Sequence, residues 1–226
     1  MEGRPTAGLR LIQHVLEVAP AGRVFTSLDA LAAGTELGLS PEHVYKLLSE
    51  LVARGLLERP RRRLYAMRPP LGGMSPVRPL AIAVHAVAPA AVSGDTALSH
   101  WGLLSQAALH EEVVSTSARI KWADGVRKDG ADSLWELDGA TIRFHRIPDH
   151  EMFGIASTRL DTETVVPMFD RERSLLELLT HAGQDAVEWA QELVHEHRHD
   201  IDCDRLRQYA ARLGVEDRLI TAARTG

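Results

Sequence analysis

The sequence has one cysteine, a 5% share of aromatic residues and no long apolar run. Because Cys203 has no second cysteine to pair with, no disulfide can form within the chain, which fits a reducing compartment. The apolar stretch at residues 9–19 is interrupted by Gln13, His14 and Glu17, so it matches neither a secretory signal nor a membrane-spanning segment. We therefore expect a cytoplasmic protein that does not associate with membranes.

The 226 residues, 45% of them hydrophobic, are enough to build one large or two modest domains with a true core. The net charge of −5 taken alone argues against a nucleic-acid partner, but the charge is unevenly distributed. Residues 1–70 contain ten Lys/Arg and seven Asp/Glu, whereas the remaining residues contain sixteen and twenty-four. A basic first domain can still bind DNA, because the attraction to DNA depends on the electrostatic field at the contact surface and not on the net charge of the whole chain.

The segment SPEHVYKLLSELVARGLLERPRRRLY, residues 40–65, predicts the helix and hairpin of a winged helix-turn-helix. Ser40 is a typical N-cap, and Pro41 suits the first helical position. The apolar residues that follow recur at helical spacing and predict one buried stripe: Val44, Leu47, Leu48 and Leu51. Gly55 predicts the helix end, and a short hairpin with a turn at residues 60–62 follows. Such a helix fits a major groove, and the hairpin fits the flanking phosphates.

The candidate DNA-binding residues form two groups within this segment. The first group lines the outer face of the predicted helix, from which side chains can reach base edges: Ser40, His43, Tyr45, Lys46 and Ser49. The second group forms the tip of the hairpin, where contact with phosphate is expected: Arg61, Arg62 and Arg63. The alternative is a helix and ribbon packed into an ordinary core, with charges that are merely solvated.

The remaining patterns predict a winged helix-turn-helix domain at residues 1–68, a Pro/Gly-rich linker at 69–79 and a second domain at 80–226. The first domain has predicted helices at 7–19 and from Thr26 or Ser27 to residue 37, with a strand at 24–25. The second has predicted helices at 80–88 and, capped by Ser99, at 100–109. Its predicted strands are 113–117, 119–122, 134–137, 141–147, 155–160 and 165–168, with a hairpin turn at Asp138 and Gly139. Asp170 caps a further predicted helix, and a helical tail follows at 185–199, 202–213 and 216–223, with Asp202 as an N-cap and Gly214 as a C-cap. We therefore expect an α+β fold with antiparallel strands.

In this layout the chain resembles the AbiEi-type antitoxins of abortive-infection (type IV toxin–antitoxin) systems, also described as predicted transcriptional regulators of viral defence systems. Three stretches carry the resemblance: residues 37–67, similar to that family's winged helix; ALSHWGLLSQAAL at 97–109; and VPMFDRERSLLELL at 166–179. Glu172 and Arg173 occupy the family's paired charges. The family usually has a glycine before the wing tyrosine, where this chain has Arg63 before Leu64 and Tyr65.

The resemblance implies a function that composition and spacing do not supply. The winged domain would bind operator repeats in double-stranded DNA upstream of its own operon and repress transcription. The second domain would be needed to counter a cognate nucleotidyltransferase-like toxin, in that family generally without a stable complex. Such a protein is not an enzyme, so we expect no catalytic residue, metal or cofactor.

The string His195-Glu196-His197-Arg198-His199 offers an enzymatic alternative. On a helix, His195 and His199 could bind zinc with Glu196 as general base, as in a metallopeptidase fused to a DNA-binding domain. Against this, Arg198 places a cation beside the metal position and the neighbourhood is charged. A third hypothesis is a plain winged-helix repressor whose second domain senses a ligand or partner.

Overall fold

The computed structural model describes residues 6–18, 23–69, 71, 75–106, 108–117, 126–129, 132–161, 164–181 and 184–218. The chain is α+β, as predicted, and its contacts divide it into two units. The first unit comprises Met1–Ala86 and Thr158–Val166, and the second comprises Val87–Ser157 and Pro167–Gly226. Every helix within the described ranges is too short or too polar to cross a lipid bilayer.

The first unit contains four helices and three strands among its described residues up to Ala86. In chain order these are α1 (Ala7–Val18), β1 (Val24–Thr26), α2 (Ser27–Glu36), α3 (Pro41–Ala53), β2 (Leu57–Arg61), β3 (Leu64–Met67) and α4 (Pro79–Ala86). The helices predicted before the hairpin and the strand between them are confirmed to within one or two residues.

Local sequence signals explain where these helices begin. The Thr26 hydroxyl accepts a hydrogen bond from the Asp29 N–H, and the Asp29 carboxylate accepts one from the Thr26 N–H at 2.6 Å, which completes a capping box before α2. Ser40 caps α3 by accepting from the N–H of His43 at 3.3 Å. The apolar faces of the three helices and the sheet meet in one core: Leu11, Ile12, Val15, Phe25, Ala30, Ala33, Val44, Leu47, Leu48, Leu51, Leu57, Tyr65 and Met67.

Gly34 lies inside α2 because α3 passes close to it. A Cβ atom at this position would lie 2.3 Å from Cγ2 of Val44, which is much closer than such carbon atoms can approach. The glycine that weakens α2 as an isolated helix therefore permits the contact between α2 and α3.

The three strands form a small antiparallel sheet in the order β1-β3-β2. Its hairpin turn consists of Arg62 and Arg63, since Arg61 pairs with Leu64, so the predicted turn at residues 60–62 is wrong and overlaps the observed turn only at Arg62. The register shifts between Glu58 and Arg61, and Pro60 lies within this irregularity, which is where prolines occur in strands. Arg63 has φ of 67°, the left-handed conformation that glycine adopts most easily.

The segment expected to be a linker leads directly into structure that belongs to the first unit. Helix α4 begins at Pro79 and packs against β1 and β3, and all of its residues from Leu80 to Val84 are buried. The buried Arg23 side chain donates a hydrogen bond to the Ser75 carbonyl. The boundary between the two units therefore falls after Ala86, whereas the sequence analysis predicted a second domain that begins at residue 80. The helix predicted at 80–88 is confirmed to within one or two residues as α4, but it belongs to the first unit and not to the second.

The second unit is built around a mixed sheet in the order β6-β7-β8-β5-β4-β10-β9. Its strands are β4 (Ala90–Val92), β5 (Glu111–Ser115), β6 (Val126–Asp129), β7 (Asp132–Leu137), β8 (Ala140–Arg146), β9 (Ile155–Arg159) and β10 (Val165–Phe169), the last two extending into residues 158–166. The expectation of antiparallel strands alone is wrong, because β5 pairs with β8, and β4 with β10, in parallel. The alternation of apolar residues that predicts a strand carries no information on its direction. The predicted turn at Asp138 and Gly139 is confirmed, with φ of 47° and 82°.

The helices of the second unit are α5 (Gly94–His100), α6 (Arg171–His181), α7 (Gln184–Glu196) and α8 (Cys203–Leu213). Ser99 lies inside α5 and does not cap a following helix, so the predicted helix at 100–109 is wrong. Asp170, Asp202 and Gly214 take the predicted capping positions of α6 and α8. The predicted strand at 119–122 and most of the last predicted helix lie outside the described residues.

A pair of glycine substitutions tests the packing of α2 on α3. Gly34→Ala should lower the free energy of unfolding of the first unit by about 1–3 kcal/mol, because the added methyl group overlaps Val44. Gly8→Ala is the matched control in α1, since its Cβ would meet Leu51 at 3.5 Å, an ordinary contact, and alanine favours a helix by up to about 1 kcal/mol. Urea unfolding of the full chain measures both. Equal effects of the two substitutions would contradict the assigned contact.

Candidate nucleic-acid interface

The outer face of α3 is polar and open to solvent. The five side chains expected to face DNA from this helix are all exposed: Ser40, His43, Tyr45, Lys46 and Ser49. The opposite face is buried, with Val44 and Leu48 both at 0% exposure. Because the buried stripe fixes the rotation of the helix, the sequence itself determines which side chains point outward.

The two serines on this face already make local hydrogen bonds. Ser40 Oγ accepts from the His43 N–H, and Ser49 Oγ donates to the Tyr45 carbonyl at 2.9 Å. Ser49 therefore offers acceptor lone pairs to an outside ligand, whereas Ser40 principally fixes the start of α3. His43, Tyr45 and Lys46 are the side chains of this face best able to reach a partner.

The charge of the α3 face is mixed. Lys46 lies among Glu42 and Glu50, which are both exposed. The pKa of Glu42 is lowered by a hydrogen bond from its own backbone N–H and by the Ser40 hydroxyl, so this carboxylate stays ionised. A face of this composition can present hydrogen-bonding groups to base edges but supplies little net attraction to phosphate.

Exposed positive charge lies on the β2–β3 hairpin. Arg62 and Arg63 form its turn and are both exposed. Arg61 differs from them, because it is only partly exposed and its guanidinium donates to the Ala86 carbonyl at the end of α4. The predicted tip of three arginines therefore contains two exposed side chains, Arg62 and Arg63, whereas the third, Arg61, is hydrogen-bonded to the end of α4.

A further arginine joins the exposed cations of the hairpin. Arg59 in β2 is exposed, and its guanidinium carbon lies 5.8 Å from the ring centroid of Tyr65. This cation–π contact orients the side chain while leaving the charge accessible. Arg59 is not among the candidate residues identified from the sequence, although its position two residues before Arg61, in the same basic run, could have indicated it.

The histidine string does not form the geometry that a zinc peptidase needs. Helix α7 ends at Glu196, and residues 197–200 form turns, so His195 and His199 are not stacked one turn apart on a helix. Arg198 Nε lies 3.3 Å from His199 Nε2, within the string. No group of three or more His, Cys, Asp or Glu side chains suited to a metal ion occurs among the described residues.

The paired charges Glu172 and Arg173 in α6 are buried and serve the packing of the second unit. Glu172 accepts a hydrogen bond from the Asp202 N–H at 2.8 Å and lies 3.6 Å from a nitrogen of Arg205. Arg173 is 0% exposed, with its guanidinium carbon 4.4 Å from the ring centroid of Phe169. Burial lowers the pKa of Arg173, and nearby carboxylates oppose that shift.

No protein-family model and no curated protein sequence matches the chain. Among solved structures, the chain is similar to the crystal structure of the RV2827C protein from Mycobacterium tuberculosis, with 20% sequence identity and a TM-score of 0.49. The alignment covers 97% of this chain and 78% of that one. A similarity at this level assigns no family and no function.

Glu172 provides a test of how α8 is attached to α6. Glu172→Ala should lower the free energy of unfolding by about 1–3 kcal/mol, because it removes a buried acceptor. Glu172→Gln should cost less, since its amide oxygen can still accept from Asp202. The control is Arg207→Ala on α8, which breaks an exposed pair with Asp204 at 2.7 Å and should cost no more than about 1 kcal/mol. Urea unfolding compares the three variants, and equal losses for Glu172→Ala and Arg207→Ala would contradict this role.

Proposed function

We propose that the first unit is a winged helix-turn-helix that binds double-stranded DNA, and that the chain is a transcriptional autorepressor of the antitoxin type. The observation that carries the DNA-binding part is the pairing of two exposed surfaces. One is the polar face of α3, and the other is the Arg62–Arg63 turn of the hairpin that directly follows this helix.

The topology of the first unit supports this proposal. Three helices precede a hairpin, and the third strand of the sheet, β1, comes from between α1 and α2. In a winged helix-turn-helix, α2 and α3 would be the helix-turn-helix pair and β2–β3 would be the wing. The left-handed Gly38, with φ of 71°, lies at the turn between α2 and α3.

The α3 face would read base edges in the major groove, where each base pair presents a distinct pattern of donors and acceptors. Lys46 can donate to the acceptors of guanine, and His43 and Ser49 can hydrogen-bond to bases. The acidic residues Glu42 and Glu50 on the same face discourage close phosphate contact there and favour contact with donors such as the cytosine amino group.

The wing would supply the attraction that does not depend on sequence. Arg62 and Arg63 extend into solvent at its tip, where each could neutralise a phosphate, and Arg59 adds a third exposed cation on β2. A chain of net charge −5 can therefore bind nucleic acid, because exposed arginines are concentrated on the wing, where contact with phosphate is proposed.

The antitoxin part of the proposal rests on the resemblance of the stretches 37–67, 97–109 and 166–179 to the AbiEi-type antitoxins. It names a nucleotidyltransferase-like toxin as the functional partner of the second unit and operator repeats as the DNA. A gene for such a toxin beside this one would support the antitoxin role over that of a plain repressor. The metallopeptidase alternative lacks support, because the helix that should hold its ligands ends at Glu196.

Two variants of the full chain separate base reading from phosphate attraction. Replacing His43 and Lys46 with Ala should reduce the preference for operator over scrambled duplex, since a good base contact is worth about 1–3 kcal/mol of discrimination. Replacing Arg62 with Gln and Arg63 with Asn should weaken binding to every duplex and reduce the slope of log affinity against log salt by about two units, at about 0.9 per phosphate. Asn is chosen at position 63 because it tolerates positive φ.

Binding is measured on operator and scrambled duplexes at several salt concentrations. Arg10→Gln is the matched control, because it removes one exposed positive charge from α1 and should leave both slope and specificity unchanged. A turn variant that keeps the wild-type salt slope would show that the wing does not contact the DNA backbone.

A further inference from the structure

The wing is attached to the rest of the first unit through contacts on separate elements. The N–H of Ser27, the first residue of α2, donates to the Arg63 carbonyl in the turn at 2.9 Å. Strand β1 pairs with β3 along its length. Arg61 reaches α4, where its Nη1 donates to the Ala86 carbonyl.

The Arg61 contact differs in kind from the others, because it is made by a long, charged side chain with a helix end. The carbonyl groups in the last turn of a helix have no partner within it and carry a partial negative charge, so a guanidinium is favoured there. Arg61 ends β2 directly before the turn, and a hydrogen bond from its side chain therefore restrains the strand that leads into the Arg62–Arg63 turn.

We infer that Arg61 is a positioning residue for the proposed DNA binding: it holds the wing against α4 so that Arg62 and Arg63 are presented to phosphate. This inference rests on the proposed function. By this inference, the Arg61–Ala86 contact orients the wing before DNA binds, and this preorganisation contributes part of the affinity. Helix α4 is then part of the DNA-binding unit. The run of three arginines thus contains one residue that orients and two that contact the ligand.

Two variants of the full chain test this role. Arg61→Met keeps much of the side chain but removes the donor, so it should weaken binding to operator roughly tenfold, the effect of losing one preorganising contact. Because no phosphate contact is lost, the slope of log affinity against log salt should stay at the wild-type value. Arg61→Lys keeps a positively charged N–H donor of nearly the same reach, so it should recover most of the lost affinity. The fraction of active protein is fixed by titration at high DNA concentration, so that an unfolded fraction is not counted as weak binding.

Amide hydrogen exchange of the DNA-free protein gives a second readout. Arg61→Met should speed exchange in β2, β3 and α4, and Arg61→Lys should not. A slope reduced by about 0.9 in Arg61→Met would make Arg61 a phosphate contact and overturn the inference, as would exchange rates that do not change in this variant. Failure of the wild-type chain to bind any duplex would instead overturn the proposed function, whatever the exchange data show.

Discussion

The burial of one apolar stripe of α3 is the constraint on which the candidate interface depends. Val44, Leu47, Leu48 and Leu51 face the core of the first unit, and α2 approaches closely enough at Val44 to require Gly34. Once this face is buried, the opposite face, with His43, Lys46 and Ser49, has to point into solvent. The packing on one side of α3 therefore fixes which polar side chains the other side presents to solvent.

The hairpin is oriented by its surroundings in a similar way. Its strands pair with β1, its turn carbonyl accepts from Ser27, and Arg61 extends to the end of α4. These contacts leave Arg62 and Arg63 exposed. Adjacent arginines of the hairpin therefore lie in different environments, which their identical chemistry would not suggest.

The elements that depend on local signals could be predicted from the sequence, and those that depend on distant partners could not. The caps Ser40 and Asp202, the stripe of α3 and the Asp138–Gly139 turn were predicted because a few neighbouring residues determine each of them. The parallel pairing of β5 with β8, the packing of α4 on the first sheet and the contact of Arg61 with Ala86 involve residues far apart in the sequence. The short strand β4 was missed because three small apolar residues show no alternation.

The central claim is that α3 and the β2–β3 turn together face DNA, and photo-crosslinking measures this most directly. A photoreactive amino acid is placed at Tyr45 on α3, at Arg62 in the turn, or at Gln13 on the exposed face of α1, and each full-length protein is irradiated with operator duplex. The account predicts adducts from positions 45 and 62, with the first mapping to bases in the major groove, and none from position 13. Efficient crosslinking from position 13 with none from position 45 would contradict it.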